Sequence, residues 1–211
     1  MSTELQVCTD WLNAFPHLSR FKNGRKLLRV WGPVIFGIEL EKFSSEAYRP
    51  RFVAMNLLSS FPEFAVSRTL SSKRRPQLSV KYAVHSGNCL EAIDIMKSSF
   101  PILENDGDTN QGLLISVYKS EVDSILEESA SPLAVWFSLI QLLTYFGDTS
   151  SALVERDRLD VYVKQLSAAS LVIFGDFPSF LTRELDVSVS EFEKRIKSNV
   201  AKGKWSSLPG F

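Results

Sequence analysis

The periodicity of this sequence changes at Gly87, and that change limits the folds open to the chain. Before it, apolar residues alternate in short runs; after it, they recur every three or four positions. Alternation suits a half-buried strand, whereas spacings of three and four suit one face of a helix. The runs are Arg25 to Trp31, Val34 to Lys42, Arg51 to Leu58, Phe64 to Leu70 and Leu78 to Val84. The second is the clearest, with Phe36, Ile38 and Leu40 set against Gly37, Glu39 and Glu41. Turn residues such as Gly32-Pro33 separate the runs, so the segment reads as an antiparallel meander of four or five strands. A helix precedes it over Glu4 to Phe15, with Leu5, Cys8, Trp11, Leu12 and Phe15 in register and Pro16 as the stop.

Beyond Gly87, Asn88 and Glu91 form a capping box ahead of Leu90, Ile93, Met96 and Phe100. Residues 104–110 are a polar loop and the sole linker candidate. Residues 112–128 fit a helix through Leu114, Tyr118, Val122 and Ile125, or a short strand near Ile115. Ser131-Pro132 opens a strongly apolar helix that Gly147 ends. Helices are also expected over Ser150 to about Phe174, over Phe177 to Leu185, and from the capping box Ser188/Glu191 to Gly203. Strands followed by helices give an α+β fold, with the C-terminal helices packed on the sheet, rather than a doubly wound parallel one. A single domain over 1–211 is expected, strand-rich at about 20–85 and helical at about 87–204.

Charge divides along the same line. Net charge is zero, yet residues 20–81 hold 13 Lys/Arg against 4 Glu, and residues 82–211 hold 11 Lys/Arg against 18 Asp/Glu. Segregated charge speaks of partners rather than of fold. The candidate binding residues are Arg25, Lys26 and Arg29 on the first strand, Arg68 on the fourth, the tip Lys73, Arg74 and Arg75, and Lys81 beyond it. Neighbouring antiparallel strands can gather such residues on one surface. An acidic protein surface is the expected partner. Nucleic acid is the alternative, with Trp31 and Phe52 available for stacking. A third reading is a solvated face that protects the sheet edge.

Catalytic and metal chemistry find little to work with. There is no GxGxxG and no GxxxxGK[ST]. The histidines, His17 and His85, are far apart and do not make a metal site. Asp106 and Asp108 resemble the start of a calcium loop, but its twelfth position is Val117, not Glu. Glu39 and Glu41 share a strand face, which fits an acid pair or plain solvation. The enzyme lead is His85-Ser-Gly-Asn-Cys89: with Asn88 as cap, Cys89 would start a helix, where the dipole lowers a thiol pKa and His85 could serve as base. No cofactor is expected. The apolar stretch Pro132 to Phe146 is too short to cross a bilayer of about 30 Å. Two cysteines and no basic, apolar leader point to a reduced, cytoplasmic setting without membrane contact.

From Gly24 to Leu57 the layout resembles a group of small bacterial α+β domains, some of them associated with toxin immunity. The shared features are the opening helix, the basic strand Arg25 to Trp31, the amphipathic strand Val34 to Lys42, and the strand Arg51-Phe52-Val53-Ala54-Met55-Asn56-Leu57. The resemblance covers the N-terminal half and brings no functional residue with it. It implies a stoichiometric, non-enzymatic, immunity-like binder.

Overall fold

The structure, a computed structural model, describes residues 3–60, 62–71, 77–104, 111–127, 131–167, 171 and 176–210. The α+β class expected from the sequence holds: an N-terminal helix, a meander of antiparallel strands, then helices. By contact the chain groups into two compact units. The first comprises Met1–Met55, Phe64–Leu114 and Lys204–Phe211; the second comprises Asn56–Glu63 and Ile115–Gly203.

The first unit opens with α1 (Glu4–Ala14), whose start is capped by the Thr3 side chain accepting from the Gln6 amide. Its sheet contains β1 (Ser19–Arg20), β2 (Lys26–Trp31), β3 (Val34–Lys42), β4 (Ala47–Asn56), β5 (Val66–Thr69) and β6 (Val80–Lys81). Strands β1 to β5 lie in chain order, and β6 also pairs with β4. The turn between β2 and β3 is the expected Gly32-Pro33, with Gly32 at φ 51°, a conformation that costs glycine little. Strand β4 starts at Ala47, four residues before the expected Arg51. Its edge partner changes along its length: Arg51 to Ala54 pair with β5, and Ala47 and Tyr48 with β6. Pro50, which has no N–H to donate, sits in the interval between these two ladders, where its deficit is harmless.

The alternation at 78–84 yields only a two-residue β6. A 3-10 turn over Tyr82–Val84 follows, and α2 (His85–Ser99) begins directly after it. Asn88 and Glu91 therefore lie inside a helix rather than capping one. Helices α1 and α2 supply the layer that covers the sheet: Trp11 and Phe15 are fully buried, and Phe52 stacks on Phe100 at 4.3 Å with the rings nearly parallel. The C-terminal tail returns to the same unit. Val30 donates its N–H to the Pro209 carbonyl at 2.8 Å, and Trp205 stacks on Phe21 at 4.2 Å. Gly210, at φ 101°, comes so close to Val30 that a Cβ there would lie 1.8 Å from its carbonyl oxygen.

The second unit is helical around α4 (Leu133–Tyr145), whose Leu133 and Val135 through Leu143 are all buried. This is the buried helix expected at 132–146. Helix α3 (Gln111–Glu127) resolves the ambiguity at 112–118 in favour of helix, and its residues from Ile115 onward belong to this unit. Helix α5 (Thr149–Val163) is capped by Asp148, which accepts from the Ser151 amide at 3.1 Å. It ends earlier than expected, and residues 168–170 and 172–175 lie outside the described chain. Helices α6 (Phe177–Leu185) and α7 (Val189–Gly203) complete the unit. Phe137 of α4 lies 5.2 Å from Phe180 of α6, and the Glu191 amide bonds the expected cap, Ser188. Among the described residues no helix is long and apolar enough to cross a membrane.

Candidate functional site

The structure answers most of the described sheet cations locally. Arg25 donates to Glu4 at 2.6 Å, an interaction that holds the Glu4 carboxyl below its ordinary range. Lys26 donates to Glu39 at 2.5 Å while lying 4.7 Å over the Phe64 ring. Glu41 accepts from Arg51 at 3.2 Å. Glu39 and Glu41 do share one face of β3, but each carries its own cation, so the face is a row of cross-strand ion pairs rather than an acid pair. Lys26 and Arg29 lie three positions apart on β2 and so point to opposite faces. Arg29 is buried over Phe36. Arg68 stands opposite Phe52 and Lys81 opposite Ala47, positions of opposite parity on β4. The five described candidates, Arg25, Lys26, Arg29, Arg68 and Lys81, therefore do not all lie on one surface. Lys73, Arg74 and Arg75 lie outside the described residues, as do Asp106 and Asp108.

The enzyme lead resolves into a buried hydrogen-bonded chain in the first unit. Trp11 of α1 donates Nε1–H to the Tyr48 hydroxyl at 3.0 Å. That hydroxyl lies 2.9 Å from Nδ1 of His85, whose Nε2 lies 2.9 Å from Asp10 Oδ2. A carboxylate only accepts, so Nε2–H donates to Asp10, and Nδ1 shares a hydrogen bond with the Tyr48 hydroxyl. Gln6 completes the chain by donating to the other Asp10 oxygen at 2.8 Å. Cys89 lies one turn into α2, not at its first position, and is 4% exposed. Burial raises its thiol to about 11, outweighing the opposing contribution of the Tyr48 hydroxyl. A protonated, enclosed thiol is a poor nucleophile. The Asp10–His85–Tyr48–Trp11 chain joins α1, β4 and α2 and satisfies the groups it uses. Among the described residues no group of three His, Cys, Asp or Glu is placed to hold a metal ion.

The second unit holds a polar cluster that the sequence did not reveal. Glu184 of α6 is buried, accepting from the Ser60 amide at 3.1 Å and from Arg195 of α7 at 3.2 Å. Burial opposes its ionisation, yet Ser60, Arg183 and Arg195 together hold its carboxyl below the ordinary range. Gln141 bridges Asn56 and Glu184, and Asn199 donates to the carbonyls of Leu57 and Ser59 at 2.8 and 2.9 Å. These bonds fasten residues 56–60, the start of the β4–β5 connection, to the helices of this unit.

In the same unit, α5 buries a carboxylate alongside Ala152 and Leu159 and leaves aliphatic side chains outside. It buries Glu155, which accepts from Trp136 Nε1 at 3.0 Å and from Arg158 at 2.9 Å. It exposes Leu153, Val154 and Val161, at 57%, 58% and 57%. An open cleft of about 460 Å³ adjoins Val161, walled by Leu126, Trp136 and Tyr162 with Asp157, Arg158 and Gln165 at its polar side. Arg158 is bound to Glu155 and to Asp123, the latter at 3.0 Å. Asp157 makes no hydrogen bond or ion pair among the described residues. Single-sequence periodicity misses this face because α5 carries aliphatic residues on both sides. The available signal was the trio Leu153, Val154 and Val161 around Asp157, aliphatic side chains beyond those its buried face, Ala152 and Leu159, uses.

The two units differ in charge. The first holds 15 Lys/Arg against 10 Asp/Glu, or +5, and the second 9 against 14, or −5. Compared with protein-family models, with curated proteins and with solved structures, the chain matches none of them.

Proposed function

We propose that this chain is a non-enzymatic, cytoplasmic protein-binding module whose contact face is the outward side of α5. The observation that carries this reading is the exposure of Leu153, Val154 and Val161 beside an open cleft. Aliphatic side chains gathered on one exposed helix face, next to a concavity, mark interaction sites more often than random surface. The buried, protonated Cys89 thiol favours binding over nucleophilic catalysis. Two buried free cysteines suit a reducing compartment. The likeness to immunity-type domains points the same way, toward a stoichiometric binder.

The contact face proposed here differs from the basic sheet expected first. Arg25, Lys26 and Arg51 are spent on Glu4, Glu39 and Glu41, which leaves them little charge to offer an acidic partner or a phosphate backbone. The test is affinity capture from host extract with the wild-type chain and with the triple variant Leu153→Ser, Val154→Ser, Val161→Ser. A protein held by the wild type and lost by the folded variant supports the reading. Identical captured sets would overturn it.

A further inference from the structure

We propose that the α5 face takes a basic amphipathic helix of a partner protein, with an apolar row over Leu153, Val154 and Val161 and a Lys or Arg at Asp157. This rests on the protein-binding reading and adds the partner's chemistry.

Shape argues for an elongated occupant. Val154, Asp157, Val161 and Gln165 recur at three- and four-residue spacings on one side of the segment. The eleven helical residues Leu153–Val163 rise about 16 Å, which matches a facing helix of three turns rather than a compact small molecule. The cleft adds depth where Trp136 and Tyr162 form an aromatic wall, their rings 5.6 Å apart. Large aromatic walls of this kind receive the anchoring side chains of a partner.

Charge argues for a basic one. Asp157 borders the cleft and meets no cation among the described residues, and the exposed Asp160 lies one turn further along. Arg158, the cation at the cleft, is already shared between Glu155 and Asp123. The unit as a whole is at −5. Lys164, exposed at the end of α5, makes no ion pair among the described residues, and it sits at the negative end of the helix dipole. An acidic helix laid here would set its carboxylates against Asp157 and Asp160, and like-charge contacts reject wrong partners.

The probe is a pair of fluorescent peptides of about five helical turns, one built from Leu, Lys and Ala and the other identical but with Glu for Lys. Anisotropy is measured against the full chain at low and at moderate salt. The Lys peptide is expected to bind about tenfold or more tightly than the Glu peptide, and to weaken with salt. Asp157→Lys, and separately Val161→Ser, should each weaken the Lys peptide about tenfold, while Glu193→Lys, an exposed reversal on α7, should change it less than about twofold. Equal binding of both peptides, or equal losses with Asp157→Lys and Glu193→Lys, would overturn the proposal. So would a dimer in sedimentation that Val161→Ser dissolves, since a second copy would then cover the face. If the Lys peptide fails while the triple serine variant still loses a captured protein, the basic helix falls and the binding face stands.

Discussion

The two units each bury a polar network, and they place their exposed apolar side chains differently: those of the first, Leu5, Phe43, Val84 and Leu90, are spread over separate segments, whereas the second gathers three on α5. In the first, Trp11, Tyr48, His85 and Asp10 form a chain in which each donor meets an acceptor, and Lys26, Arg25 and Arg51 at the sheet surface meet carboxylates. In the second, Glu184, Gln141, Asn56, Arg195 and Asn199 are as well satisfied inside, but the outer side of α5 keeps three aliphatic side chains and a carboxylate, Asp157, that meets no cation among the described residues. His85 is thus a member of a buried hydrogen-bonded chain, and Cys89 is enclosed in the same unit. Satisfied polarity holds a fold together; unsatisfied surface is what a partner can use.

The largest expected effect breaks the inner network of the second unit. Glu184→Gln strands the guanidinium of Arg195 without its counter-charge and should cost about 3 kcal/mol in chemical denaturation. Its pH signature has a definite sign. Because the folded carboxyl lies below its ordinary 4.5, the stability it contributes is present above that value and is lost as pH falls through the lower folded one. Glu184→Gln should therefore flatten the part of the acid limb below 4.5, and an unchanged limb would contradict the clamp.

The matching cut in the first unit is Tyr48→Phe. It leaves Trp11 Nε1–H and His85 Nδ1 without their shared partner and should cost about 2 kcal/mol. In the folded wild type, Cys89 should resist alkylation, as a buried thiol raised to about 11 would. Rapid modification under native conditions would restore the thiol as a chemical candidate and dissolve the contrast between the units.

A third substitution sharpens the comparison in the opposite direction. The Tyr118 hydroxyl on α3 is buried with no hydrogen-bond partner among the described residues, so Tyr118→Phe should raise stability by about 1 kcal/mol. A loss of that size would reveal a partner for the hydroxyl. The smallest effect belongs to the exposed pair: Glu4→Gln removes the partner of Arg25 at the surface and should cost less than about 1 kcal/mol, less still at high salt.

Much of the fold was legible because its signals are local. Strand β3 alternates without interruption, the Gly32-Pro33 turn is written in two residues, and α4 is apolar throughout. The missed boundaries have physical causes. Pro50 made β4 look shorter, since nothing local tells that it falls between two edge partners. The apolar alternation at 78–84 runs on through a 3-10 turn, and α2 starts at His85 without a side-chain cap, so its first turn left no mark. The return of Trp205 and Pro209 to the first unit, and the capture of residues 56–60 by Asn199, are contacts between residues distant in sequence. The candidate face was the least legible part. Only the packing of Glu155 against Trp136 reveals which side of α5 turns inward and so leaves Val154 and Val161 outside.

Hydrogen–deuterium exchange on the full chain, with and without the Leu–Lys peptide, tests the division between the units most directly. Added protection should appear over α5, in fragments covering 149–167, with α2 and the strands from Lys26 to Asn56 unchanged. Protection over the basic strands or around His85 and Cys89, with α5 unaffected, would contradict the account.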